Sequence, residues 1–365
     1  MNVDLLAPSD LPELDAFFRA IGLHMPAENF RQFAAPRRLA PNLELGTFLL
    51  RERGRIVGSL GWIEVPVRVN DGAGQPLVPD RLRAGRWVMN FYLAPELRGR
   101  GVARALLDAF HASCPMRFVI GSTNAAQRAF DKVGYRDIGR LVMARWVHPC
   151  LDPRRLADRV RRGARRPPPA TIKMRLGDDE LTVRRTSPVG DNLPWTVSDV
   201  RQVPHEAGAP RNGAYLAYAY GGELRPHHVL YVVAINGESA GLFVIAARAT
   251  HLPKIRLPLL AAEIIDLDAR PGAERAVILA ARKTAFTCSD VVRLRICGDR
   301  FTTVLRELAG SRGLVDDIPL RLSVDAAVLP EGPYRERAGV WRLTYGDHDQ
   351  FRVRATSQEW IGTSN

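Results

Sequence analysis

Lysine is scarce in this sequence, although the formal net charge of its 365 residues is +13 at pH 7. Arginine supplies almost all of the positive charge, and lysine stands only at positions 132, 173, 254 and 283. The arginines are scattered, and aromatic residues are not interleaved with them as they are in proteins that stack nucleic-acid bases. We therefore expect an ordinary basic surface, and nucleic-acid binding is the less favoured alternative.

Cysteine is also infrequent. The four cysteines, Cys114, Cys150, Cys288 and Cys297, lie far apart in the sequence, form no C-x-x-C pair, and have no clustered histidines beside them. This spacing argues against a disulfide framework and against a structural metal site, and it is typical of proteins in a reducing cytoplasm. We predict a cytoplasmic protein that uses no metal.

No segment combines the length and the continuous hydrophobicity of a membrane span. The most apolar stretch, residues 229–247, is interrupted by Asn236, Gly237 and Glu238, which favours a β-hairpin. The N-terminal segment carries Asp4 and Asp10 and lacks the apolar core of a signal peptide, so no signal peptide is expected.

A change in composition divides the sequence, whose length suggests two domains. Asp152 and Pro153 are typical of a helix start, and three prolines at 167–169 would end that helix at Arg166. Because its apolar face is narrow, we predict a helix that links two domains; contact of 152–166 with an anionic membrane is the alternative. The predicted organisation is a first domain at 1–148, a basic helical linker with a proline-rich end at 149–172, and a second domain at 173–365.

The two halves share an order of predicted elements. Each half has a hairpin with the same G-x-x-x-G spacing, Gly54 to Gly58 in the first and Gly237 to Gly241 in the second. An apolar strand follows each hairpin, and after it come an alanine-rich helix, a cysteine, another strand and another helix. This agreement predicts an internal duplication.

The strongest local signal is the passage from residue 87 to residue 107, where an apolar strand, a proline turn, a glycine-containing loop and a helix follow one another. Gly99 and Gly101 let a ligand approach the backbone closely. The first amides of the helix lack internal acceptors and lie at its positive end, which favours an anion. With Arg98, Arg100 and Arg104 around it, the loop predicts a phosphate or pyrophosphate site, and an ordinary basic first turn is the alternative.

Two common phosphate-binding motifs do not fit this loop. The P-loop of nucleoside triphosphatases requires a lysine followed by Ser or Thr, and the loop contains none. The dinucleotide fingerprint requires a third glycine where this sequence has Arg104, and no acidic residue follows at the distance needed to hold a ribose.

The sequence resembles the GNAT superfamily of acyl-CoA-dependent N-acyltransferases. Its signature Arg/Gln-x-x-Gly-x-Gly/Ala is matched by Arg98, Gly101 and Ala103. A second signature, an Asn that begins a helix ending in Gly-aromatic, is matched by Asn124 and by Gly134-Tyr135. The resemblance covers roughly residues 3–147, whereas the second half matches only the order of elements. It implies an α/β (α+β) fold of two tandem GNAT-like modules, each a mixed central sheet flanked by helices, with a degenerate second module.

The resemblance also implies how acyl-CoA, most simply acetyl-CoA, is bound as co-substrate. The backbone around Phe91, Tyr92 and Leu93 would pair with the pantetheine arm and polarise the thioester carbonyl. Asn124 would face the pantetheine, and Phe130 lies in the same site. The residues implied for the pyrophosphate are Arg98, Gly99, Arg100, Gly101, Val102, Ala103 and Arg104.

Departures from the family pattern leave the proton transfers open. Phe130 stands where the family often has a tyrosine that protonates the leaving thiolate, and Asn90 lies in the strand that often carries a carboxylate. Glu64 is the best remaining base, with a structural role as the alternative. Asp347, or Asp349, could bind a cationic acceptor amine, and a polar turn is the alternative there.

We predict an N-acyltransferase that moves an acyl group, most simply acetyl, from acyl-CoA to an amine of a small molecule, sugar or peptide. One alternative is a tRNA-dependent aminoacyl transferase of the tandem GNAT-like class, which the net charge of +13 would suit. The other is a non-catalytic acyl-CoA-binding module, because Phe130 and Asn90 remove a usual acid and a usual base.

Overall fold

A computed structural model of the chain describes most of its secondary structure. The described residues are 1–23, 45–69, 83–114, 116–147, 169–187, 207–208, 211, 213–220, 228–251, 258–289, 291–312, 314–316, 321–325, 332, 336 and 341–344. The chain divides into two compact units. Unit 1 comprises residues 1–68, 78–140 and 319–338, and unit 2 comprises residues 69–77, 141–318 and 339–365.

The described residues form strands and helices with the following bounds. The strands are β1 Asn2–Leu5, β2 Leu45–Glu52, β3 Arg55–Val69, β4 Arg83–Leu93, β5 Arg117–Ile120, β6 Arg136–Arg140, β7 Val142–Val147, β8 Thr171–Leu176, β9 Asp179–Thr186, β10 Ala207–Gly208, β11 His228–Ile235, β12 Glu238–His251, β13 Pro258–Ala269, β14 Val291–Cys297, β15 Leu314–Asp316, β16 Arg321–Asp325 and β17 Trp341–Thr344. The helices are α1 Leu11–Ala20, α2 Ala103–Ser113, α3 Asn124–Asp131, α4 Gly213–Tyr220, α5 Glu274–Phe286 and α6 Asp299–Arg312, and short 3-10 helices span Pro8–Asp10 and Pro95–Leu97.

The sheet of unit 1 is mixed. Its strands follow the order β1-β2-β3-β4-β5-β16-β6, and the pairs are antiparallel except for β4 with β5. Helix α2 packs Leu106, Leu107 and Phe110 against this sheet, where they join a buried cluster with Leu60 and Val119. The 3.6-residue spacing of the apolar side chains of α2 thus directs one of its faces to the core.

The sheet of unit 2 repeats this plan. Its strands follow the order β8-β9-β11-β12-β13-β14-β7, and β13 with β14 is the parallel pair. The short strand β15 extends the sheet beyond β7. Helix α5 buries Val277, Ile278 and Ala281 in the core of this unit. Two mixed sheets flanked by helices confirm the predicted fold class.

Each unit completes its sheet with a strand from a distant part of the sequence. β7 directly follows β6 of unit 1, yet it pairs with β14 and β15 in unit 2. β16 follows β15 of unit 2 and precedes β17 of the same unit, yet it lies between β5 and β6 in unit 1. The compact units therefore differ from the predicted boundary at residue 148. The predicted linker overlaps β8, which begins at Thr171, while its residues 149–168 lie outside the described ones.

Corresponding hairpins and strands of the two units share backbone irregularities. The β2–β3 turn has positive φ at Arg53 (50°) and Gly54 (81°), and the β11–β12 turn has it at Asn236 (51°) and Gly237 (86°). Two such residues in sequence are typical of a type I′ hairpin turn. The register also shifts at matching places, between β3 and β4 and between β12 and β13. These features support the predicted duplication.

Strand β17 occupies the widening gap between β13 and β14 of unit 2. The two parallel strands pair only as far as Ile264 and Leu294, although both continue beyond that point. Ile296 of β14 pairs with Val142 of β7 on one edge and with Thr344 of β17 on the other. Because a strand has two hydrogen-bonding edges, β17 must lie on the edge that faces β13.

Candidate functional site

The loop between β4 and α2 places two glycines in the left-handed region of the backbone map. Gly99 has φ 79° and Gly101 has φ 77°. A Cβ atom built on either glycine would meet no heavy atom within 4 Å. The space beside both residues is therefore open, so a ligand can reach their backbone without meeting a side chain.

Backbone amides of this loop are available to an anion. The described residues provide no backbone acceptor for the amides of Gly99, Gly101 and Val102. Helix α2 follows at Ala103 and extends for 11 residues, so its positive dipole end faces the same loop. Unpaired amides at a helix N-terminus are the usual protein contribution to a phosphate site. The geometry thus fits the pyrophosphate that the resemblance implies.

The three arginines around the loop differ in their contacts. Arg98 Nε donates to the carbonyl oxygen of Leu93 at 3.3 Å, which fixes the loop to the end of β4. Arg104 Nε lies 2.7 Å from Asp108 Oδ1, one helical turn later, and both side chains are exposed. Arg100 is exposed and makes no ion pair within the described part of the chain. Arg100 is therefore the arginine whose charge is most available to an anion.

Strands β4 and β5 diverge beside the loop. They pair only at Arg86 with Arg117 and at Trp87 with Phe118, although β4 continues to Leu93. On its other edge, β4 stays paired with β3 up to Leu93. In the described structure, the edge of residues 88–93 that faces β5 therefore has no strand partner. We call this space the β4/β5 gap; Phe91, Tyr92 and Leu93 lie along it, at the place where the resemblance implies an extended ligand.

Asn90 lies at a β-bulge that the sequence analysis did not predict. The register between β3 and β4 shifts around Asn90, and its φ is 49°. The hydroxyl of buried Ser59 donates to the Asn90 carbonyl oxygen at 3.3 Å. A bulge turns the following residues relative to the sheet. The signal for it was the asparagine itself, because Asn tolerates positive φ far better than the apolar residues around it.

Helix α3 begins at Asn124, as the second signature predicts. Thr123 caps it, since its Oγ1 accepts a hydrogen bond from the amide of Ala126 at 3.2 Å. Asn124 is exposed in this first turn. Gln127, which is buried, donates through Nε2 to Asp131 at 2.7 Å and to Ser323 of β16 at 2.9 Å. The sequence analysis missed this contact, because it joins residues 196 positions apart.

Phe130 belongs to an aromatic cluster in the core of unit 1. Its ring centroid lies 5.4 Å from that of Phe91 and 5.1 Å from that of Tyr135. Tyr135 is also buried, and burial raises the pKa of its hydroxyl well above the usual value. Neither ring is therefore suited to donate a proton at neutral pH. Phe130 instead connects the end of β4 to the Gly-aromatic signature.

Glu64 forms a buried ion pair with Arg86. Its Oε1 lies 2.8 Å from Arg86 Nε and 2.6 Å from Arg86 Nη2. The Arg86 guanidinium also lies 5.0 Å from the centre of the Trp62 ring. Both charged side chains are less than a tenth exposed. This environment favours the structural alternative for Glu64, because its carboxylate is engaged with a cation inside the protein.

Several predicted features lie outside the described residues. These are Asp347, Asp349 and the arginine-rich linker helix at 152–166. Among the residues that are described, no group of His, Cys, Asp and Glu side chains could hold a metal ion. Within the same residues, no helix is long and apolar enough to cross a membrane.

A family model for the acetyltransferase (GNAT) domain matches residues 25–148. The chain contains a GNAT domain. Its fold is also similar to two solved structures. One is a probable N-acyltransferase of unknown function from Enterococcus faecalis V583, with 11% identity, a TM-score of 0.50, and coverage of 89% of this chain and 73% of that chain. The other is a GCN5-related N-acetyltransferase from Anabaena variabilis, with 13% identity, a TM-score of 0.52, and coverage of 88% and 72%. Comparison with curated proteins gives no match.

The GNAT domain and the corresponding part of unit 2 differ at the helix that follows the diverging strands. In unit 2 this helix is α5, and its first residue is Glu274. Glu274 is buried, and its Oε1 lies 2.6 Å from Arg300 Nη1. A carboxylate already occupies the positive end of α5 and would repel a phosphate there. In unit 2, a carboxylate side chain therefore lies at the helix start that corresponds to the candidate anion site of unit 1.

Proposed function

We propose that the chain is an N-acyltransferase that binds one acyl-CoA in unit 1 and transfers its acyl group, most simply acetyl, to an amine of a small molecule, sugar or peptide. The observation that carries the proposal is the loop from Arg98 to Ala103. Its two left-handed glycines, its unpaired amides and the start of α2 together suit a pyrophosphate. The neighbouring β4/β5 gap suits the extended arm of the same ligand.

The protein's contribution to the reaction would be mainly positioning. Bound acyl-CoA would supply an activated thioester. Phe91, Tyr92 and Leu93 offer backbone hydrogen bonds along the gap, and Asn124 would border it from the start of α3. The bulge at Asn90 sets the direction of these groups, and Ser59 holds it in place. Fixed donors of this kind stabilise developing charge without reorganisation during the reaction.

The residues that move protons are a separate part of the proposal. Asn90 carries no ionisable group, and the carboxylate of Glu64 is already engaged by Arg86. Asp347 is proposed to bind a cationic acceptor amine. An Asp347→Asn variant should then raise the KM for the acceptor and leave the affinity for acetyl-CoA unchanged. An unchanged acceptor KM would remove Asp347 from the site.

Release of free CoA thiol from acetyl-CoA, measured across a panel of amines, tests the activity. We expect amine-dependent release by the wild type and its loss in Gly101→Glu. Gly54→Glu is the matched control, because Gly54 also has positive φ and open space beside it but lies in the β2–β3 turn. Binding of acetyl-CoA without release for any amine would instead support a non-catalytic acyl-CoA-binding module, which buried Phe130 and paired Glu64 favour.

A further inference from the structure

Unit 2 contains a cavity that the proposed acyl-CoA site does not use. Its volume is about 430 Å³, within the range of roughly 300–1,000 Å³ that small-molecule sites occupy. The C-terminal half of α5 contributes Leu279 and Phe286 to its walls, and the sheet contributes Trp146, Leu176 and Leu181. We call this space the α5 cavity. Its walls are mostly apolar, so it suits a hydrocarbon group.

Among the described residues, three cations and no acidic residue line the α5 cavity. The cations are Arg175, Arg282 and Lys283. Arg282 is half-buried, with its guanidinium 5.7 Å from the centre of the Trp146 ring. Burial lowers the pKa of Arg282, and no neighbouring charge opposes this effect. The cavity therefore holds a partly desolvated cation that has no counter-charge among the described residues.

Other buried arginines in this protein are paired with carboxylates. Arg86 pairs with Glu64 at 2.6 Å, and Arg211 pairs with Asp266 at 3.0 Å. In the described part of the chain, no carboxylate pairs with Arg282. Partly burying a cation is unfavourable unless a partner compensates for the lost water. A bound anion would supply the partner that Arg282 lacks.

Trp146 contributes an aromatic side chain to the wall of the same cavity. The residue is 2% exposed and lines the cavity, yet its indole Nε1 has no acceptor in the described structure. Buried indole N–H groups usually find one. The nitrogen itself has almost no accessible surface, so the ring is the part of Trp146 that a ligand in the cavity would contact.

We propose that the α5 cavity binds a linear amphipathic anion, with its hydrocarbon chain against Leu279 and Phe286 and its carboxylate or phosphate head on Arg282. Arginine is suited to either head, because its planar donors can bind two oxygens at once. Arg175 and Lys283, both exposed at the cavity, add attraction for the same charge. This site is independent of acyl-CoA binding in unit 1.

Calorimetry on the full chain tests the proposal with decanoate, decyl phosphate and neutral decanol below their aggregation concentrations. We expect one anion to bind per chain, and decanol to bind much more weakly. Comparison of decanoate with decyl phosphate identifies the preferred head group. Arg282→Gln should lower the affinity for the anion at least about tenfold, as expected for loss of a charged hydrogen-bond partner. Leu279→Trp, which fills the cavity, should abolish binding.

The matched control is Arg306→Gln, which removes an exposed charge on α6 away from the cavity and should leave anion binding unchanged. Acetyl-CoA should bind the wild type and Arg282→Gln equally. Loss of anion binding in Arg282→Gln can therefore be distinguished from loss of acyl-CoA binding in unit 1. The proposal is overturned if neither anion binds the wild type, if decanol binds as tightly as the anions, or if Arg282→Gln and Arg306→Gln behave alike. The Arg282→Gln comparison decides the question if Leu279→Trp does not fold.

Discussion

The contacts of Glu64 with Arg86 favour a structural role for Glu64 over a catalytic one. Both side chains are buried, and they lie 2.6 Å apart at their nearest atoms. Removing one partner of a buried pair leaves the other charge without compensation. A candidate base identified by its position on a strand can therefore be engaged in holding the sheet together.

We predict that Glu64→Gln lowers the free energy of unfolding by roughly 3 kcal/mol, because Arg86 remains buried without its counter-charge. Denaturant unfolding measures the change. The double variant Glu64→Gln/Arg86→Met should recover part of the loss, since it removes the unpaired cation. If Glu64→Gln kept wild-type stability and lost only kcat, Glu64 would be a base after all.

At the level of elements, helix α2 carries a titratable group in its last turn. His111 is half-buried, and its ring centroid lies 5.6 Å from that of Tyr135. Burial lowers the pKa of His111 below its usual 6.5, Arg117 lowers it further, and Asp325 opposes the shift. As the pH falls, the unfolded chain therefore takes up this proton before the folded chain does.

The contribution of His111 to stability is thus complete above about pH 6.5 and is lost progressively as the pH falls below that value. We predict that His111→Phe, which keeps an aromatic ring beside Phe110 and Tyr135, reduces the drop in melting temperature between about pH 7.5 and pH 5.5. An identical drop in wild type and variant would show that His111 does not titrate differently on folding.

Strand β16 belongs to the sheet of unit 1 but lies outside residues 1–148. It pairs with both β5 and β6, and its Asp325 forms an ion pair with Arg117 at 2.7 Å. Without it, both strands have an unpaired edge and Gln127 loses Ser323. We predict that a fragment of residues 1–148 does not melt cooperatively in circular dichroism.

A second fragment provides the control, because Arg321 pairs with Arg140 in the antiparallel β6–β16 ladder. Residues 1–140 joined to 319–338 by a short glycine linker can therefore form a hairpin at that point. This fragment should melt cooperatively. Cooperative melting of residues 1–148 alone would contradict the importance of β16.

At the level of the whole molecule, sequence patterns predicted the features that depend on adjacent residues. They did not predict contacts between residues that are far apart in the sequence. The glycine loop, the hairpin turns at Arg53-Gly54 and Asn236-Gly237, and the start of α3 each depend on a few adjacent residues, and the structure has all of them. The placement of β7 in the sheet of unit 2 and of β16 in the sheet of unit 1 depends on which strands pair. The alternation of side chains along a strand does not determine its partner. The roles of Glu64 and Glu274 depend on arginines 22 and 26 positions away.

The two units have similar sheets, but unit 2 differs from unit 1 where unit 1 has its candidate acyl-CoA site. In unit 2, β17 lies in the gap between β13 and β14, and Glu274 occupies the start of α5. We predict one acetyl-CoA per chain, measured as the molar ratio in calorimetry. Two equivalent sites per chain would contradict the closed gap of unit 2.

The most direct test of the central claim is the affinity of acetyl-CoA for the wild type, Gly101→Glu and Gly54→Glu by titration calorimetry. Both substitutions place a glutamate at a glycine with positive φ and open space, so their backbone strain should be similar. We predict that Gly101→Glu weakens binding at least about a hundredfold, roughly 2.7 kcal/mol, because its carboxylate occupies the pyrophosphate site, and that Gly54→Glu binds as the wild type does. Equal affinity of all three proteins would show that the loop does not hold the pyrophosphate.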